Sequence, residues 1–212
     1  VLVFGLGETS KISDAGYLIP GILAGLLGYV GLACLYAGLS TGRMGVVSPI
    51  SSLSAVVPLT IALVGGEVLK PLQALGVAIA LAGAFCASGP EISQGLSLKP
   101  IVLAVGAAVG FGSALSFMAV GSKTSALLTM VTMRAATFFV SAAILIKRRT
   151  FGGFSKKEAP TLLFMGVADF LANFLLGVST HYGLVSLVMV LGSLYPIATA
   201  LLAYQFLQER LH

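Results

Sequence analysis

Charge is what this sequence has least of. Of 212 residues only 9% are Asp, Glu, Lys or Arg, against about 25% in a soluble domain, and the 58% that are hydrophobic bring the mean hydropathy to +1.05. That excludes a soluble globular protein. Tryptophan is absent, and there are two cysteines and two histidines. Cys34 and Cys86 both lie inside apolar runs, where a free cysteine packs as a small core residue, so neither a disulfide framework nor metal-ligand spacing is present. His181 and His212 are far apart, and the chain carries no HExxH, GxSxG, Walker loop, CxxC or Asp-rich metal motif. Gly5-Leu6-Gly7 lacks the third glycine of a dinucleotide fingerprint. No metal, cofactor or enzymatic activity is expected. The net charge of +5 does not mark a nucleic-acid partner either, because the basic residues concentrate in one short loop, Lys147, Arg148, Arg149, Lys156 and Lys157.

What the sequence has in quantity is long uncharged stretches: 15–42, 44–66, 71–90, 100–122, 124–146 interrupted once, and 159–208 interrupted once. Each is about the 20 residues a bilayer-spanning helix needs, and the last is long enough for two. The expectation is an all-α polytopic bundle with seven helices, at 17–39, 44–66, 71–88, 100–121, 124–146, 161–181 and 183–206. Pro20, Pro71, Pro100 and Pro160 fall at helix starts and Pro90 beyond a helix end. Pro49, Pro58 and Pro196 fall inside spans, where each removes a backbone hydrogen bond and kinks the helix. Counting Lys and Arg by side, the face with Arg43, Lys99, the 147–157 loop and Arg210 outweighs the face with Lys11, Lys70 and Lys123, which puts the loop in the cytosol. A multi-pass protein of the plasma (inner) membrane is expected. The run Val1–Leu6 is too short to span a membrane, and Tyr204–His212 closes a helix at a polar boundary, so the sequence reads as a fragment at both ends.

A shift of 141 residues sets Gly25 on Gly166, Leu35 on Leu176, Gly42 on Gly183, Ser52 on Ser193, Leu53 on Leu194 and Ala62 on Ala203, and brings Glu67 beside Glu209. Both copies run helix, Gly-bearing turn, Ser- and Pro-containing helix, glutamate. An odd number of helices, five, separates the first helix from its counterpart, so the copies cross the membrane in opposite directions, as in secondary transporters built from inverted repeats. Small residues at four-residue spacing, including Gly21–Gly25 and Gly106–Gly110, predict close helix packing.

The segment Gly38-Leu39-Ser40-Thr41-Gly42-Arg43-Met44-Gly45-Val46-Val47-Ser48-Pro49-Ile50-Ser51-Ser52-Leu53 with Gly66-Glu67, and the later Gly192-Ser193-Leu194-Tyr195-Pro196 with Leu207-Gln208-Glu209-Arg210-Leu211, resembles EamA-type transporters of the drug/metabolite transporter superfamily. The resemblance implies ten helices in two inverted five-helix repeats, of which this chain would hold helices three to nine. Residues 1–99 would be the C-terminal part of the first repeat, and 100–212 the second repeat lacking its last helix. It also implies that residues 1–16 are cytosolic, opposite to the charge count.

Two charged residues lie deep in spans, Arg134 and Asp169, and each costs about 2.5–3.5 kcal/mol on insertion scales. They are either a structural ion pair or the lining of a substrate or proton path. Asn173, one turn beyond Asp169 on the same face, adds a carboxamide to a carboxylate of the kind a proton-coupled carrier uses. Ser48, Ser51, Ser52 and Ser54, with Ser193 and Tyr195, lie beside the interior prolines, where they could contact a substrate or hydrogen-bond helix to helix. Tyr29, Tyr36, His181 and Tyr182 read as packing or interfacial residues, and Glu67 and Glu209 as partners of Lys70 and Arg210 at loop level. The favoured function is secondary active transport of a small organic metabolite or drug by alternating access, with protons as a coupling ion. The alternatives are an intramembrane lipid-modifying enzyme, with Arg134 on a head group and Asp169 as base, and a non-transporting membrane scaffold. The partners expected are a small-molecule substrate and the bilayer; the oligomeric state is open.

Overall fold

In the computed structural model the described residues are 15–41, 44–87, 98–149 and 156–194, and among them every regular element is helical. That follows from the solvent: in hydrocarbon each backbone N–H and C=O must be satisfied within the segment, which a helix does by itself. The helices are α1 (Leu18–Leu39), α2 (Met44–Ser52), α3 (Val56–Val64), α4 (Pro71–Ala87), α5 (Leu98–Arg148), α6 (Ala159–Ser179) and α7 (Val185–Gly192). A 3-10 turn, Ala15–Tyr17, leads into α1, and another, Lys156–Glu158, leads into α6. Four stretches, Ala15–Leu39, Val46–Val64, Leu98–Arg148 and Ala159–Ser179, are long and apolar enough to cross a bilayer, and Pro71–Cys86 is a shorter apolar helix. The protein is an all-α, multi-pass integral membrane protein.

The boundaries explain the prolines. Pro20, Pro71, Pro100 and Pro160 all sit in the first turns of α1, α4, α5 and α6, where the missing N–H has no intrahelical acceptor to lose. Pro58, expected to kink the helix over 44–66, directly follows a local change of helix type. The span is two helices, α2 and α3, joined by a 3-10 turn at Leu53–Ala55, and Pro58 falls in the first turn of α3. Among the described prolines only Pro49 lies beyond the first turn of its helix, α2. The kink at Pro196 and everything after Leu194 lie outside the described residues.

The predicted pair 100–121 and 124–146 is closer than a loop would allow. The 51 residues of α5 are interrupted at one residue, Ser125, with φ −159° and ψ 117°. Extended geometry is what an N-cap requires. Its Oγ accepts the Leu128 N–H at 3.2 Å, and its carbonyl accepts the Thr129 hydroxyl at 2.7 Å. The fold at this point is sharp: a Cβ on Gly121 would lie 2.7 Å from the Thr129 side chain, whereas residues eight apart in an unbroken helix are separated by about 12 Å. Residues 98–124 and 126–148 are therefore two arms joined through Ser125.

The chain divides into two compact units. The first comprises Val1–Leu26 and Phe117–Tyr182. Here the start of α1 lies on the second arm of α5: Cβ atoms on Gly21 and Gly25 would meet Thr132 at 2.8 Å and the Met133 carbonyl at 2.5 Å, and Gly177 of α6 lies against Ser122. The second unit comprises Leu27–Ser116 and Gly183–His212. Its closest approach is Gly31 on Gly110, where a Cβ on Gly110 would sit 2.6 Å from the Gly31 Cα, with Cys34 packed on Gly106. The small-residue spacing is thus used as contact surface, which matters in lipid because helices there associate by packing rather than by the hydrophobic effect. Ala55, Leu59, Val77 and Val190 form the core of this unit, flanked by Leu69, Ala80, Leu81 and Leu187.

Candidate functional site

Two groups of predicted residues come together, one in each unit. In the first, the Arg134 guanidinium on the second arm of α5 donates to Asp169 Oδ2 on α6. Asn173, one turn on, donates from Nδ2 to Asp169 Oδ1 at 3.1 Å and to the Asp169 carbonyl at 2.8 Å. Both carboxylate oxygens are engaged. The Arg134 and Asp169 side chains nevertheless keep 35% and 57% of their surface exposed. Phe138 and Phe139, beyond Arg134 on the same arm, are also exposed and meet edge to face at 5.8 Å. A charged pair in mid-span cannot turn that much surface to hydrocarbon, so this face of α5 and α6 belongs to water or to other protein.

In the second unit, Ser51, Ser52 and Ser54 are buried at the break between α2 and α3, Ser48 is half-buried on α2, and Ser193 is buried where α7 ends. Three of these hydroxyls bond back within their own helices. Ser51 donates to the Val47 carbonyl at 2.7 Å, Ser52 to the Pro49 carbonyl at 2.7 Å and Ser193 to the Val190 carbonyl at 2.8 Å. Ser52 and Ser193, paired by the 141-residue shift, make the same bond three residues back within their own helices. Each keeps its lone pairs as acceptors. Tyr195 and Pro196 lie outside the described residues.

Pro58 shapes the break. Lacking an N–H, it cannot give the Ser54 carbonyl the donor of a continuing α-helix; that oxygen accepts a backbone N–H within the tighter 3-10 turn instead, and Gly112 on the first arm of α5 packs over it. A Cβ on Gly112 would overlap the Ser54 carbonyl and lie 2.6 Å from Val57 Cβ.

Sequence reasoning missed the role of Glu67. Helix α3 ends with Gly66 at φ +97°, its N–H on the Leu63 carbonyl at 3.1 Å and the Glu67 N–H on the Ala62 carbonyl at 3.0 Å. This is a Schellman ending, which needs a residue free to adopt left-handed geometry and fixes the direction of the next one. Glu67 then reaches the start of α7, where Oε1 accepts the Val185 N–H at 2.9 Å and Oε2 the Ser186 N–H at 3.1 Å. The N-cap position of α7 is Leu184, which makes no side-chain cap bond, so a carboxylate distant in sequence supplies the cap. An anion on a partly buried helix N-terminus contributes up to about 2 kcal/mol. The uncappable Leu184 before an apolar helix was the available signal. Since the end of α3 meets the start of α7, and Ala55 at the other end of α3 shares a core with Val190 farther along α7, the two helices run antiparallel.

Among the described residues two buried hydroxyls, Ser122 Oγ and Ser186 Oγ, have no hydrogen-bond partner. Among the described residues no group of three His, Cys, Asp or Glu could hold a metal ion.

The described residues thus make up a polytopic helical membrane protein with an ion pair within its spans. The profile of the EamA-like transporter family matches residues 98–212, more than half of the chain, and the chain belongs to that family, part of the drug/metabolite transporter superfamily. No curated protein and no solved structure matches it.

Proposed function

We propose that this protein is a secondary active transporter that moves a small organic metabolite or drug, by export or import, across the plasma (inner) membrane by alternating access, coupled to protons. The observation that carries the reading is the break at Leu53–Ala55. A spanning helix is interrupted by a 3-10 turn with buried serines and lies antiparallel to α7, whose end carries the matching Ser193. Interrupted spans are tolerated where backbone and hydroxyl groups line a cavity, and in carriers they hold the substrate at the interface of two repeats.

The element boundaries support an inverted repeat. Helices α1 and α6 begin at Leu18 and Ala159, and α2 and α7 begin at Met44 and Val185, each pair 141 residues apart. Residues 1–99 and 100–212 are the two repeats in this reading. Ser48, Ser51, Ser52, Ser54, Ser193 and Tyr195 bind substrate, Pro49, Pro58 and Pro196 set the helix bends, and Asp169 carries the coupling proton with Arg134 and Asn173 as its partners. The engagement of both Asp169 oxygens favours a second reading of that cluster alone, a structural ion pair.

The test is flux in liposomes holding the full-length protein. Internal pH is recorded while amino acids, nucleosides and cationic drugs are added, for wild type and Asp169→Asn. A substrate-dependent pH change that disappears in the variant supports proton coupling through Asp169. Flux with no pH change, equal in both proteins, removes Asp169 from the mechanism.

A further inference from the structure

The Glu67 contact has a geometry that a static cap does not need. Local side chains cap most helices, but α7 begins at Leu184, which cannot, and its first two N–H groups are held by both oxygens of one carboxylate at the end of α3. The contact lies at one end of the antiparallel pair, while the serines at Leu53–Ala55 and Ser193 lie toward the other. Between the two ends pack Ala55, Leu59 and Val190, together with Val77 of α4, and Leu187 lies against them. The Schellman ending at Gly66 sets the backbone from which the carboxylate reaches α7. A bidentate, charge-assisted contact of this kind is strong when made and is lost as a unit when the two helix ends part. Ser186, the second residue capped, is fully buried and its hydroxyl unpartnered, which is costly while this end is closed and is relieved when water enters.

We infer that Glu67 is a latch that holds this end of the α3–α7 pair closed and releases α7 when the end opens. The inference rests on the alternating-access reading, in which each end of the pair parts in turn. A latch favours one of two states, and removing it shifts the population toward the other without creating a new conformation.

The experiment uses the full-length protein with Cys34 and Cys86 replaced, in right-side-out and inside-out vesicles, and a membrane-impermeant thiol reagent. One reporter is Leu187→Cys, at the latched end; the other is Ser193→Cys, at the far end of α7. With Glu67→Gln, labelling of the Leu187 reporter from one membrane face is expected to rise about tenfold, the shift expected when a charge-assisted contact is lost, while the Ser193 reporter does not gain from that face. Glu67→Asp, which retains the charge, is expected to fall between, and it carries the test if the glutamine variant does not insert. Unchanged labelling at Leu187, or an equal rise at both reporters, overturns the latch and leaves Glu67 as a cap that merely stiffens α7. Labelling needs no substrate, so wild type without flux counts against the transport reading alone, and an unchanged labelling ratio counts against the latch alone.

Discussion

Gly112→Ala tests whether the break between α2 and α3 is as tightly enclosed as the geometry requires. The added methyl would overlap the Ser54 carbonyl and lie 2.6 Å from Val57 Cβ and 2.8 Å from Val57 Cγ2. These are two backbone-anchored neighbours, neither the far end of a flexible side chain, so α3 and the first arm of α5 must move apart. Overpacking of this kind costs about 1–3 kcal/mol. Against it stands the better helix propensity of alanine, about 0.8–1 kcal/mol, which leaves a net loss of roughly 0–2 kcal/mol if the core yields and more if it does not. Gly76→Ala is the control: it is helical and exposed, and nothing lies within 4 Å of its added Cβ, so propensity acts alone and stability rises or holds. Thermal unfolding of the purified protein in detergent measures both. The expected order is Gly76→Ala at or above wild type and Gly112→Ala below it. Equal midpoints for the two variants would refute the enclosure of Ser54 by α5.

Three further expectations concern the polar groups. Arg134→Gln with Asp169→Asn separates the two roles of the ion pair: a structural pair gives a double variant more stable than either single variant and still active, whereas the coupling reading gives equal stability recovery with no proton-linked flux, both read from melting and liposome assays. Ser122→Ala and Ser186→Ala each remove a buried hydroxyl without a partner among the described residues, and each is expected to hold or raise the melting midpoint, the relieved desolvation being worth up to about 1–3 kcal/mol of stability. A fall of that size in either would mean that the hydroxyl is hydrogen-bonded in the membrane. Ser52→Ala and Ser193→Ala lose only a bond within their own helices, so stability is expected to change by about 1 kcal/mol or less while the apparent affinity for transported substrate falls; unchanged KM in both would take these serines out of the substrate site.

Membrane class, the approximate positions of the apolar stretches, and the family were legible in the sequence; of the seven expected spans, the described residues show four stretches long and apolar enough to cross a bilayer and one shorter apolar helix. Composition decides the solvent, and in lipid the solvent permits one backbone solution over each apolar run of about 20 residues. The proline positions at the starts of α1, α4, α5 and α6 were legible for the same local reason. So was the pairing of Arg134 with Asp169 as a possibility to be weighed, because two opposite charges within spans have few other partners. What the sequence could not decide is every feature that depends on a neighbour distant along the chain. Pro58 reads as a bend in its span, but that the 3-10 turn at Leu53–Ala55 precedes it and that Gly112 packs over the Ser54 carbonyl is visible only in the structure. Glu67 reads as a neighbour of Lys70, yet its carboxylate reaches the start of α7. The serines read as substrate contacts or as bonds between helices, and the structure shows that Ser51, Ser52 and Ser193 donate to carbonyls three or four residues back in their own helices. Local chemistry specifies which groups need a partner, and only tertiary packing specifies which partner arrives.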